Sequence, residues 1–403
     1  MIKAYKFRIY PTVKQSIFLD QNFGATRFLW NQLTNNFNNY DKPEYIKNMN
    51  EMHLKPNNIW MNDVISYALQ QKRIDFYNIV KQYFNKARKN KLGRIKFKKR
   101  GISNDSFRIP AQKLGYIKAF DFKNNKIKLP KMKPIKIKYD REFNGLVKNV
   151  TISKNKCNEY YISVCVDEKI DHKVKTNRDI GIDLGITALI TTSSGIKINN
   201  PKYFRESQAE LRKAQKHFSR KVKGSKRREK QKYKAAKIHQ KISRQRNWLY
   251  HQISNYLVDN YDSIFIEDLA VSNMIKNRKL SKAIADVSWT ILTNMIEYKS
   301  KWYGKEMVKV GRFYASSKLC SNCGHKHDNM TLGIREWVCP VCHSKHDRDI
   351  NAAKNIYKEG MMISHGLLSD ELTDYSHGED VRPLNPLWFK ANFNEVINKT
   401  KGI

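Results

Sequence analysis

Three acidic residues and four cysteines carry most of the chemistry legible in this chain. Asp183 lies in DIGIDLGI, an apolar strand pattern in which an isolated carboxylate is costly to bury unless a cation neutralises it. Gly181 and Gly185 flank it and allow another backbone or a ligand to come close. The alternative role for such an Asp is a turn cap at a strand end. The following ALITTSSGIKI reads as a hairpin, so the acid sits on the first strand of a meander. Glu267 repeats the pattern at the end of a β-branched and aromatic run, YDSIFIEDLAV. Asp349 lies in HDRDINAAKNIYKEG, ahead of a helix expected to begin near Asn351. An Asp there also suits an N-cap, and Asp347 fits either part, cap or third acid. Three carboxylates at one edge suit hard divalent cations such as Mg²⁺. Two such ions about 4 Å apart activate water and stabilise the leaving oxygen of a phosphodiester. The chain holds no Walker loop, GxSxG or HExxH pattern.

The cysteines Cys320, Cys323, Cys339 and Cys342 form two CxxC pairs with fifteen residues between them. Each pair fits a knuckle turn, and four thiolates close a tetrahedral Zn²⁺ shell with no position left for catalysis, so this is a structural zinc site. His325, His327, His343 and His346 are then read as solvated or phosphate-facing rather than as ligands. Six cysteines in 403 residues are too sparse for a disulfide framework and point to a reducing compartment. No stretch approaches the roughly 18 apolar residues of a membrane span. A soluble protein with no membrane partner, cytoplasmic in a prokaryote, is expected.

Charge names the partner. There are 77 Lys and Arg against 37 Asp and Glu, a formal net charge of +40. Such a chain repels itself unless phosphates offset the charge, so a nucleic acid is expected, held in a salt-dependent way. Residues 86–101 hold nine Lys or Arg and no acid, with Ile95 and Phe97 interleaved. A solvated linker is the plain reading and a backbone clamp the functional one, with Lys96, Lys98, Lys99 and Arg100 on phosphate. Gln70, Gln71 and Lys72 stand as candidate readers of bases, because amide side chains pair with adenine edges; a solvated helix face competes.

The elements that position these groups follow from periodicity. Residues 1–10 alternate and suggest a strand with Lys3, Lys6 and Arg8 on or near its solvated face, and residues 12–88 have helical spacing. From about 106 to 168 short strands alternate with Pro, Asn and Gly. This predicts a small barrel or sandwich completed by the N-terminal strand. Residues 205–246 carry seventeen Lys or Arg against three acids with a break near Gly224, the pattern of a basic helical hairpin. The stretch beyond 360 has weak periodicity and reads as a flexible tail.

KAYKFRIYPT, the SFRI segment after a basic FKKR run, GIDLGI, IEDL, CSNCGH, WVCPVC and HDRDINAAKNI, in that order, resemble the TnpB (OrfB) family of insertion-sequence transposons from residue 1 to about 358. The resemblance implies an RNA-guided DNA endonuclease related to the type V CRISPR effectors. A transposon-derived guide RNA would pair with double-stranded target DNA beside a short adjacent motif, and a single RuvC site would cut. It implies Asp183, Glu267 and Asp349 as catalytic Mg²⁺ ligands, favouring Asp349 over Asp347. The implied fold class is α+β and multidomain. Residues 11–100 would form a helical recognition lobe, and 1–10 with 101–175 a wedge-like β-barrel. An RNase H-like RuvC core would span 176–315 and 347–360, with the basic hairpin inside it, a zinc-ribbon insert at 316–346 and a tail at 361–403. A monomer is favoured. Rival readings are a DNA-binding regulator without cleavage and a strand-transfer transposase.

Overall fold

The computed structural model describes residues 1–40, 51–85, 93–113, 119–331 and 333–366. The chain divides into two units, Met1–Lys169 and the remainder from Ile170.

In the first unit, strand β1 (Ile2–Tyr10) alternates as its sequence requires, burying Tyr5, Phe7 and Ile9. Lys3 shares that inward face and is satisfied by Glu168 at 3.1 Å; only Lys6 and Arg8 belong to the outward face. Strands β2 (Asp105–Pro110), β3 (Phe120–Asp121), β4 (Lys126–Ile127), β5 (Ile135–Lys138), β6 (Leu146–Lys154) and β7 (Tyr160–Asp167) join it. The order is β2-β6-β7-β1-β5-β4-β3, all antiparallel. The N-terminal strand is thus central. Among the described residues no hydrogen-bonded pairing joins β2 to β3, while Phe107 and Ile109 of β2 and Ile127 of β4 share one core.

In the region read as helical, the described residues form helices α1 (Val13–Tyr40) and α2 (Ser66–Tyr83), with short turns at Glu51–Leu54 and Ile59–Asn62, while 41–50 and 86–88 lie outside the described residues. Leu29, Trp30, Leu33 and Phe37 pack on Leu69, Phe76 and Val80.

The second unit is built on a five-stranded mixed sheet. Strands β8 (Asp179–Asp183), β9 (Ala188–Thr192) and β10 (Lys197–Asn199) form an antiparallel meander. β11 (Ser263–Glu267) runs parallel to β8, and β12 (Glu306–Val310) parallel to β11, in the order β10-β9-β8-β11-β12. The basic hairpin comprises α3 (Gln208–Ser219) and α4 (Lys226–Asn260), parted at Gly224 with a φ of 84°, and α4 continues well past residue 246 to lead into β11. Helix α5 (Trp289–Tyr303) joins β11 to β12.

Period-two alternation assigns the two sheet faces. Ile180, Ile182, Ile264 and Ile266 share a core with Leu249, Ile253 and Leu257 of α4 and Leu292 and Ile296 of α5. The intervening residues face α6 (Arg348–His365). A Cβ on Gly181 would lie 2.3 Å from the Ala353 carbonyl oxygen, and one on Gly360 2.3 Å from the Phe265 ring. Bare backbone at one strand position and one helix position therefore lets α6 lie directly on β8 and β11. The helix extends five residues into the expected tail, because Met361 packs with Phe265, Val310 and Ile356. The rest of that tail, 367–403, lies outside the described residues. Among the described residues no helix is long and apolar enough to cross a membrane.

Candidate functional site

Asp183 and Glu267 are the last residues of β8 and β11, one step beyond the Ile182–Ile266 register pair. By alternation both are on the α6 face, and Asp349 is in the first turn of α6. Burial, then the charges of Glu267 and Asp349, push the Asp183 carboxyl up to about 8 against the relief of Arg348 and Lys197. Burial also raises Glu267, opposed by the Ser316 hydroxyl, which donates to its Oε1 at 2.7 Å. Arg348 and Arg335 stand 3.4 and 3.6 Å from Asp349. A cleft of about 330 Å³ opens beside Glu267, bounded by Asp268, Met274, Val310, Arg312 and Ser316.

Asp347 takes the other part. One of its carboxylate oxygens accepts the backbone N–H of Asp349 (3.1 Å) and of Ile350 (3.0 Å), and the other pairs with Lys197 at 2.6 Å. It is the N-cap of α6, which leaves the Asp349 side chain out of the cap. A buried carboxylate raised by two neighbouring acids belongs to a donor set suited to a hard divalent ion, whose charge would relieve the repulsion at Asp183.

The four cysteines do converge. Their sulfurs all lie within 4.8 Å of one another, with Cys320–Cys342 and Cys323–Cys339 at 3.6 Å. A tetrahedral zinc with bonds of about 2.3 Å needs sulfur separations of about 3.8 Å, so the set fits that ion. Among the described residues this is the one group of three or more metal-ligating side chains gathered so tightly; the carboxylates are not. The second knuckle grows from the hairpin of β13 (Glu336–Val338) and β14 (Lys345–Asp347), and Trp337 is buried against Cys320 and Cys339. His346 departs from its solvated reading. Its Nε2 is 3.0 Å from the Cys320 sulfur and its ring 4.8 Å from that of Trp337, because β14 turns this residue onto the cluster.

The candidate nucleic-acid residues of the first unit divide. Lys96, Lys99 and Arg100 are exposed, while 86–92 of the basic run lie outside the described residues. The segment is no free linker. The Trp30 indole donates to the Lys96 carbonyl (3.1 Å), and Asn31 exchanges hydrogen bonds with the Lys98 backbone at 2.7 and 3.0 Å. The Lys98 ammonium lies 3.8 Å over the Trp30 ring, its pKa brought down to about 8 by burial and the charge of Lys72. Lys72 corrects the sequence reading. It is buried, 3.7 Å from Asp75, because its helix face packs inward; Gln70 and Gln71 beside it are half-buried.

Sequence reasoning missed three polar side chains. Ser316 touches Glu267 across 49 residues, and buried Asn351 and Asn355 grip the chain at 316–321. Two Asn four apart on an otherwise apolar helix face were the available signal.

Comparison with known proteins bears on most of the chain. Family models described as "Probable transposase", "Cas12f1-like, TNB domain" and "Helix-turn-helix domain" match residues 162–278, 289–356 and 1–41. A Streptomyces pristinaespiralis protein named "Putative RNA-guided DNA endonuclease" is 34% identical over 90% of each chain. An Escherichia coli K12 protein bearing the same name with the suffix InsQ is 30% identical over 90% of this chain and 93% of its own. The solved Cas12f1–sgRNA–target DNA complex aligns with 89% of this chain and 99% of that one at 16% identity and a TM-score of 0.35, too loose a likeness to carry geometry across. With relatives this similar over nine-tenths of its length, the chain belongs to the TnpB (OrfB) family.

Proposed function

We propose that this protein is an RNA-guided, divalent-metal-dependent DNA endonuclease that cuts with one site, formed by Asp183, Glu267 and Asp349 on an RNase H-like core of the RuvC type. The observation that carries the reading is the placing of Asp183, Glu267 and the first turn of α6 on one face of the β10-β9-β8-β11-β12 sheet, where burial and the charges of Glu267 and Asp349 raise the Asp183 carboxyl, in a chain that is otherwise strongly basic. Asp183 ends the central strand, Glu267 ends its parallel neighbour, and Asp349 enters from the first turn of α6.

Asp183, Glu267 and Asp349 would hold Mg²⁺, which when bound supplies Lewis acidity to the scissile phosphate and its attacking water. The chain's own residues set up that chemistry. Asp347, by capping α6, fixes the backbone from which Asp349 projects. Ser316 orients Glu267, and Arg348 and Lys197 moderate the negative field at Asp183. The cysteine module would hold Zn²⁺ structurally and serve as the target-nucleic-acid-binding insert. Lys96, Lys99 and Arg100 would meet phosphate. Guide pairing would read sequence while the protein reads backbone shape and a short adjacent motif. The domain layout would be that of the sequence reading: a recognition lobe at 11–100, a wedge-like unit at 1–10 and 101–175, and a nuclease core at 176–315 and 347–360 interrupted by the cysteine module at 316–346.

The test is to purify the protein from cells carrying its flanking locus, sequence the RNA that accompanies it, and challenge the complex with a target library of randomised flanks, with and without Mg²⁺. Cutting restricted to guide-matched targets beside one motif, and only with Mg²⁺, is the expected result. Binding without cutting would leave a regulator, and joined DNA ends without RNA a strand-transfer transposase.

A further inference from the structure

Glu267 is held from outside its own strand. Ser316 is 5% exposed, and its hydroxyl donates to Glu267 Oε1 at 2.7 Å. Its backbone is gripped in turn. Asn355 Nδ2 donates to the carbonyls of Ser316 and Leu319, both at 2.7 Å. One turn earlier, Asn351 Nδ2 donates to the same Leu319 carbonyl (2.7 Å) while its Oδ1 accepts the Ser321 N–H at 2.8 Å. Lys358 closes the ladder on the Ser321 carbonyl at 2.7 Å. Cys320, the first thiol of the module, lies between the two gripped residues and is 1% exposed. The five residues from Ser316 to Cys320 are therefore one strap, with a carboxylate clamp at one end and a metal ligand at the other, stapled to α6 by two Asn that are 1% and 3% exposed. A buried amide with satisfied donors and acceptors is costly to disturb, so displacement at one end of such a strap is transmitted rather than absorbed.

We propose that Ser316 is a positioning residue for Glu267 and that, through the strap held by Asn351 and Asn355, metal loading of the cysteine module sets how well the carboxylate site binds its divalent ion. The proposal rests on the reading of Asp183, Glu267 and Asp349 as metal ligands. Removing a group that orients a metal ligand typically weakens metal binding by roughly tenfold to a hundredfold.

The readout is Mn²⁺ binding to the full chain, followed by the loss of the free-ion EPR signal, with thermal melts run alongside. Ser316→Ala weakens binding by at least about tenfold without lowering the melting temperature in proportion, and Ser316→Thr, which keeps the hydroxyl, restores it to within about threefold. Asn355→Ala weakens it similarly. Stripping the thiol-bound metal, followed by removal of the chelator, weakens Mn²⁺ binding in the unsubstituted protein but no further in Ser316→Ala, since both break the same strap. Glu267→Gln separates the two levels. If it binds Mn²⁺ as tightly as the unsubstituted chain, the metal-site reading itself fails. If it is weakened while Ser316→Ala is not, the positioning role is overturned and the site stands. Unchanged Mn²⁺ affinity after stripping overturns the link to the cysteine module.

Discussion

Asp347 accepts the backbone N–H of Asp349 at 3.1 Å, and this one bond separates two acids that stand two residues apart in the chain. With its second oxygen on Lys197, Asp347 is committed to holding the start of α6. Asp349, freed from capping, is the carboxylate whose charge reaches Asp183.

The division predicts different failures. Asp349→Asn abolishes DNA cutting while leaving the thermal midpoint nearly unchanged. Asp347→Ala loses about 1 kcal/mol of cap energy and retains measurable cutting. Paired cleavage assays and melts check both. Full activity in Asp349→Asn would return the third-ligand role to Asp347.

The same acids predict opposite pH responses. Burial works against ionised Asp347, but Lys197 and the backbone N–H groups hold its carboxyl below the ordinary range. Its contribution is present above about pH 4 and is lost as the pH falls through its lowered value. Asp183 is raised to about 8, so the folded protein binds a proton that the unfolded chain has released. Without divalent ions, stability should decline as the pH climbs from about 4 toward 8. Asp183→Asn removes that slope and raises the midpoint at pH 8 by roughly 2–4 °C for each kcal/mol of repulsion relieved. Metal-free melts across that range measure it.

Packing of α6 on the sheet depends on absent side chains. Gly181→Ala and Gly360→Ala each force a methyl to within 2.3 Å of a neighbour and should destabilise by about 1–3 kcal/mol. Gly181→Ala, beside Asp183, should also lower the cutting rate in the surviving folded fraction. Denaturant titration combined with single-turnover cleavage distinguishes the two effects.

The cysteine module predicts one zinc per chain by elemental analysis. Cys339→Ser or chelation should remove that zinc and expose Trp337, now 7% exposed, giving a red shift in its fluorescence.

How much of this was legible varied with the range of the interaction. IGID and IFIE already announce strands whose final acids share a face, because alternation is local. The CxxC pairs likewise specify their own cluster. The residue types alone do not separate Asp347 from Asp349, since both stand at a strand-to-helix junction; only the resemblance favours Asp349. The capping bonds from the Asp349 and Ile350 N–H groups, with Lys197 150 residues away on the other oxygen, show which acid is the cap. Lys72 is basic in sequence and buried in space, because its helix face packs inward, with Asp75 at 3.7 Å and the charge of Lys98 near it. Ser316 gave no local sign, and the Asn351/Asn355 spacing gave only a weak one; their meaning is a contact with segments distant along the chain.

The exposed Lys96, Lys99 and Arg100 should lower nucleic-acid affinity when all three become Ala and reduce the slope of log affinity against log salt by about 2 to 3. Lys72→Ala should change the melt more than the salt slope. Binding titrations at several salt concentrations decide this.

Cleavage of a guide-matched duplex by the purified protein–RNA complex in Mg²⁺, with Asp183→Ala in parallel, goes to the centre of the matter. The unsubstituted complex should cut, and the variant should bind the same duplex with similar affinity and leave it intact. Cutting by Asp183→Ala at an undiminished rate would contradict the carboxylate site altogether.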